Sequence, residues 1–223
     1  SSVISKSPLP SAIILYFSMG GTLSHINHNY IYVSIFHSVS AFCNAGFSLY
    51  TDNLMDKTLF SNYLFNTTIM FLIILGGIGF TVITNILSLK PPKRKSKRIK
   101  YQLAVSTKLV LITTSILIFG GGLLIYLTNP FPYNTNLTWI EKLFHSIFLS
   151  VSSRTAGFNT IPIDKISFAS AMIVIVLMWI GASPGSTGGG VKTTTFSIAL
   201  LSLINIIKGK DRLEIFYREI PQE

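Results

Sequence analysis

A single cysteine, Cys43, leaves no partner for a disulfide within the chain. Charge is scarce as well. Asp, Glu, Lys and Arg make up 12% of the residues, against about 25% in an average soluble domain. Acidic groups are the scarcest: 8 Asp and Glu stand against 18 Lys and Arg. No group of His, Cys, Asp and Glu has metal-ligand spacing, and no nucleophile stands beside a base. Nothing therefore marks an enzyme, a structural metal site or a cofactor. His37 and His145 lie in short apolar segments, where packing or hydrogen bonding is the simpler role.

Apolar residues are what the chain has in quantity. They make up 49% of it, and the mean hydropathy is +0.55. Three stretches carry no charged residue: 58–89, 109–128 and 166–191. Each is long enough to cross a bilayer, which takes about 20 apolar residues. The net charge of +10 would suit nucleic acid, but its placement does not. Lys90, Lys93, Arg94, Lys95, Lys97, Arg98 and Lys100 crowd between two apolar runs. That is the pattern of a cytoplasmic loop in a multi-pass protein of the cell membrane. The expected topology puts 90–101 and 208–223 in the cytoplasm and 48–58 and 129–138 outside. The chain begins Ser-Ser without Met, and its first apolar stretch, 12–17, is too short to span. It reads as a piece of a longer protein that starts inside a membrane helix.

The order of segments repeats. A short apolar segment at 31–43 leads into Asn44-Ala45-Gly46-Phe47, then a polar loop, then an apolar helix at about 60–89. After the basic loop a spanning helix covers about 104–128. A second short apolar segment, 139–153, then leads into Thr155-Ala156-Gly157-Phe158. Ile35, Phe36, Ser38, Val39 and Ser40 match Ile147, Phe148, Ser150, Val151 and Ser152 at an offset of 112. Ala45, Gly46 and Phe47 match Ala156, Gly157 and Phe158 at an offset of 111, so the two units differ by one residue in between. Both units end on the basic side and are therefore parallel, unlike inverted transporter repeats. The expected fold is an all-α polytopic membrane protein of two helix–re-entrant helix–loop–helix units, 1–101 and 102–223. The glycines of 75–80 read as helix packing.

Short helices that stop inside the membrane and feed Gly-containing loops can aim backbone carbonyls at a cation and replace its water shell. The segment Gly181-Ala182-Ser183-Pro184-Gly185-Ser186-Thr187-Gly188-Gly189-Gly190 interrupts the last hydrophobic stretch, 166–207. A continuous helix of that length would reach about 63 Å at 1.5 Å per residue, twice the ~30 Å hydrocarbon core. The stretch must tilt, bend or break, Pro184 and the glycines mark where, and an unpaired backbone at that depth has to line a polar path or be buried in protein. The pattern of a phosphate-binding loop fails by one residue, because Val191 separates Gly190 from Lys192, and the motif follows an apolar run long enough for membrane where such a loop would follow a buried strand. Lys192 either caps carbonyls of the broken helix or acts in gating. Arg154 either braces the second Gly loop or faces outer solvent.

The stretch from Phe36 to Phe47 resembles the second pore-loop unit of the TrkH/KtrB potassium transporters, and the stretch from Val151 to Thr160 resembles the third. Residues 181–195 are similar to the intramembrane loop of that third unit. The resemblance covers nearly the whole chain, with Thr81 standing where the family often has Pro. It implies four such units around one pore, with the first and fourth missing here. It implies a filter at Asn44, Ala45, Gly46, Phe47, Thr155, Ala156, Gly157 and Phe158, with potassium as the transported ion. It also implies a gate at 181–190, a homodimer, and a ring of cytosolic nucleotide-binding regulatory subunits. The competing reading is a solute permease whose broken helix holds the substrate.

Overall fold

The computed structural model describes residues 8–20, 28–88, 104–128, 137–208, 214–215 and 218–219. The basic loop 90–101, residues 129–136 and most of the tail after Lys208 lie outside the described residues.

Helix α1 (Pro8–Ser18) packs against α2 (His28–Phe42) and α4 (Tyr63–Ile78). A short α3 (Lys57–Phe60) precedes α4, and α5 (Phe80–Ser88) follows it. Next comes one helix of 23 residues, Val105–Leu127, made of α6 (Val105–Ser115), a π-helical turn at Ile116–Gly120, and α7 (Gly121–Leu127). The second unit continues with α8 (Trp139–Ser153), α9 (Phe168–Trp179) and α10 (Thr193–Ile207). Two strands of two residues, β1 (Glu214–Ile215) and β2 (Arg218–Glu219), pair antiparallel in the tail, a small departure from the all-α expectation.

Local chemistry starts these helices where they start. Asp56, Asn62 and Ser167 each accept a backbone N–H in the first turn of α3, α4 and α9. Thr138 and Glu141 form a reciprocal capping box on α8. The hydrogen bonds from the Thr138 backbone and from Tyr63 hold the Glu141 carboxyl below its ordinary range.

Large apolar side chains stand on the surface while several small polar ones are buried. Phe168 and Ile207 are 78% and 83% exposed, whereas Ser150 and Ser183 are fully buried. Polar groups join helices: Thr113 Oγ1 meets Ser197 Oγ at 2.6 Å, and Thr128 Oγ1 meets Ser170 Oγ at 2.7 Å. A main apolar cluster runs through both units, from Leu15, Phe65 and Leu72 to Phe148 and Phe158.

One expectation fails. The apolar run 60–89 is not one helix. It breaks at Gly79, where the chain turns by 90° between α4 and α5. Gly79 has φ +91, a conformation that side chains with a Cβ disfavour. One described helix, Val105–Leu127, is long and apolar enough to cross a bilayer, or two if the bent pair counts as a single span. Phe168–Trp179 and Thr193–Ile207 are shorter apolar helices on either side of the second break.

Candidate functional site: two Gly loops and the broken helix beneath them

Helix α2 ends in a Schellman motif. Asn44 takes the left-handed conformation at φ 53, the Ala45 N–H donates to the Ser40 carbonyl, and the Asn44 N–H donates to the Ala41 carbonyl. Asn44 thereby absorbs the one extra residue that separates this loop from its counterpart after α8. Beyond the turn the two loops share two features. Ser40 Oγ donates to the Phe47 carbonyl, and Ser152 Oγ donates to the Phe158 carbonyl. Gly46 and Gly157 both have positive φ, at 71 and 82.

The loops also touch. A Cβ built on Gly46 would lie 1.9 Å from the Ala156 carbonyl oxygen, so only glycine lets the two backbones meet. Nothing among the described residues lies within 4 Å of a Cβ built on Gly157. The Leu54 N–H adds a second tie by donating to the Asn159 carbonyl at 3.1 Å. Phe158 is fully buried and stacks over the His37 ring at 6.4 Å, whereas its counterpart Phe47 is 69% exposed. Asn44 and Ala156 are buried, Gly46 and Thr155 half-buried, and Ala45 and Gly157 exposed.

The 181–190 segment forms a closed loop between α9 and α10. At its base the Gly181 N–H donates to the Val191 carbonyl, and the Ala182 N–H donates to the Gly189 carbonyl, both at 3.0 Å. A Cβ on Gly181 would stand 1.8 Å from the Gly189 oxygen. Close approach of backbone to backbone therefore demands this glycine; freedom to move is not its main use. Gly185 and Gly190 do need their freedom, with φ 69 and 76. Gly188 packs against Ala182 and Thr155, which sets the loop directly on the second Gly loop. Gly181, Ala182 and Ser183 are buried; Pro184, Gly185, Thr187, Gly189 and Gly190 are exposed, and Ser186 lies between. Ser183 Oγ meets Thr193 Oγ1 at 3.1 Å.

This loop is docked on the α4–α5 break. The last carbonyls of a helix lack partners within it. The Ser183 N–H donates to the Gly77 carbonyl at 3.0 Å and the Thr187 N–H to the Gly76 carbonyl at 3.3 Å, supplying them. In return the Phe80 N–H donates to the Gly185 carbonyl at 3.0 Å. Gly76 thus lets α4 approach the end of α2, as helix packing would have it, and the Gly76 and Gly77 carbonyls also seat the loop. The motif was visible in sequence, but Gly at this spacing reads the same for a packed helix and for a broken one.

Arg154 does not face outer solvent. It caps α8, is 9% exposed, and its guanidinium donates to the Gly181 carbonyl at 3.1 Å. Lys192 Nζ donates to the Gly188 carbonyl at 3.0 Å, across the mouth of the loop. Replacing Arg154 with Met leaves the Gly181 oxygen short of a donor in a buried place, which costs about 1–3 kcal/mol. The expected result is a lower melting temperature of the purified full-length Arg154→Met protein; an unchanged one would show that the bond contributes nothing. Among the described residues no group of three His, Cys, Asp or Glu comes together as a metal site.

The chain matches the family described as TrkH, cation transport protein, over residues 12–220. It is 39% identical over 194 residues to the potassium/sodium uptake protein NtpJ of Enterococcus hirae, covering 86% of this chain and 41% of that protein. It is 38% identical over 197 residues to the Ktr system potassium uptake protein B of Bacillus subtilis, covering 85% and 41%. The crystal structure of the potassium transporter TrkH from Vibrio parahaemolyticus superposes with a TM-score of 0.68 at 19% identity, over 96% of this chain and 44% of that one, and so shares its fold. The chain spans about two fifths of the length of the curated relatives it matches. From this breadth of match, the chain belongs to the TrkH family of cation transport proteins and is a membrane protein.

Proposed function

We propose that the chain supplies the second and third pore-loop units, 1–101 and 102–223, of a multi-pass potassium uptake protein. The observation that carries this is the pair of loops at 44–47 and 155–158. Each follows a short helix, each is held by a serine to a Phe carbonyl, and the two meet at Gly46 and Ala156. Backbone carbonyls gathered in this way can replace the water around a potassium ion. The 181–190 loop lies against the second of these loops and acts as the gate below the filter. Similarity to proteins named for potassium uptake favours this reading over a solute permease.

The unequal surroundings of the two Phe residues support further units in the ring. Phe158 fills the contact with the preceding unit. Phe47, Phe36, Tyr32 and Val39 line an open apolar groove of about 400 Å³, where an equivalent contact from a preceding unit fits. A homodimer on a ring of cytosolic nucleotide-binding subunits completes the proposed assembly in the cell membrane. The 90–101 loop and the tail from 208 are its candidate contacts, unless their charge serves only topology or anionic lipid.

Two measurements test this. Full-length protein in vesicles is expected to carry potassium down its gradient; vesicles no leakier than empty ones would refute it. Single cysteines at positions 95 and 136 are expected to react with an impermeant reagent from opposite sides of the membrane. Reaction of both from one side would overturn the proposed topology.

A further inference from the structure

Four elements meet at the Thr187 side chain. Its hydroxyl accepts a hydrogen bond from Asn44 Nδ2 at 2.9 Å and donates one to the Phe42 carbonyl at 3.2 Å. Its N–H donates to the Gly76 carbonyl. A Cβ built on Gly76 would stand 2.0 Å from the Phe42 oxygen and 2.9 Å from Thr187 Oγ1, so the junction closes only because that position is glycine. The Thr187 hydroxyl thus joins the tip of the 181–190 loop to the end of α2 and to the first residue of the first Gly loop, while its backbone N–H ties the same tip to the last turn of α4. One hydroxyl has a single proton to donate and lone pairs to accept with, and here it uses both functions.

The residue it holds is not an ordinary one. Asn44 is 8% exposed and sits in the left-handed region. It belongs to the one-residue difference that sets the first Gly loop apart from the second. That conformation is available to Asn at a modest cost and is kept only where the surroundings determine it. Its amide is fixed by Thr187, from a loop 143 residues away in sequence. The Gly46 backbone follows two residues later.

We infer that Thr187 is a specificity-determining positioning residue: by holding Asn44, it makes the geometry of the first Gly loop depend on where the 181–190 loop sits. Moving the loop out of the path then releases Asn44 and loosens the filter. Opening and selectivity are linked through one hydrogen-bonded side chain. On the other side Arg154 ties the base of the loop to α8, so the loop is fastened to both pore helices. The inference rests on the proposed potassium pathway and adds a residue and a coupling to it.

The test uses full-length protein in vesicles, with potassium and sodium fluxes measured separately. Thr187→Val keeps the shape and removes the hydroxyl. Asn44→Gly keeps the left-handed turn and removes the donor. Each is expected to lower the potassium-to-sodium flux ratio about fivefold, the scale of one hydrogen bond, and the double variant should fall no further than either alone. Thr187→Ser should restore the parental ratio. A merely structural contact would change yield or melting temperature but not the ratio. A folded Thr187→Val protein with the parental ratio overturns the inference. Should that variant not fold, Asn44→Gly decides, and a parental ratio there overturns it equally. A parent protein that carries no potassium at all overturns the function on which the inference rests.

Discussion

Deleting residues 186–189 from the full-length protein is expected to raise potassium flux about tenfold, the effect of removing ~1.4 kcal/mol from a barrier. The loop is held in place by a countable set of bonds. The deletion removes the Thr187 N–H donation to Gly76, the two bonds of the Thr187 hydroxyl, and the Lys192 contact with Gly188. It also removes the Ala182 N–H donation to Gly189. Each is worth about 1 kcal/mol net, so losing several shifts the closed state by a factor of ten or more. The base of the loop keeps its bond from the Gly181 N–H to the Val191 carbonyl, and Ser183 keeps its seat on Gly77. Because Thr187 is lost, the faster variant should also discriminate less between potassium and sodium. A well-folded deletion variant that conducts no faster would show that the loop is packing and not a gate.

Gly46→Ser is expected to abolish potassium selectivity, while Gly157→Ser weakens it less. Both positions have positive φ, where a side chain costs about 1 kcal/mol or more. Their surroundings separate them. At Gly46 the new Cβ would fall 1.9 Å from the Ala156 oxygen, so one loop must withdraw from the other. At Gly157 the described residues leave the Cβ open space, and only the backbone strain remains. The ratio of potassium to sodium flux through the two full-length variants measures the difference. Equal ratios in both, or a parental ratio in Gly46→Ser, would remove the Gly46–Ala156 contact from the account.

Hydropathy and the repeated residues made much of the architecture legible. The short segments at 31–43 and 139–153 are the helices α2 and α8, and the 166–207 stretch breaks where Pro184 and the glycines stand. Hydropathy counts apolar residues but says nothing of direction, which is why 60–89 read as one helix. The right-angle turn at Gly79 depends on a backbone conformation and on a partner loop more than 100 residues later. For the same reason Arg154 stayed open between two roles. Its residue type and position fit both a solvent-facing and a buried guanidinium, and only the Gly181 carbonyl decides. Thr187 was marked only as one member of the 181–190 segment, because a threonine in a Gly-rich loop is ordinary. Its meaning lies in Asn44 and Phe42, which the fold brings to it.

The central claim is that the backbone of 44–47 and 155–158 binds the transported ion. Crystals of the full-length protein soaked in rubidium, a potassium substitute with strong anomalous scattering, test it most directly. Anomalous density is expected beside the carbonyls of both loops, lost when sodium replaces rubidium. Rubidium density elsewhere in the protein and none at these loops would contradict it.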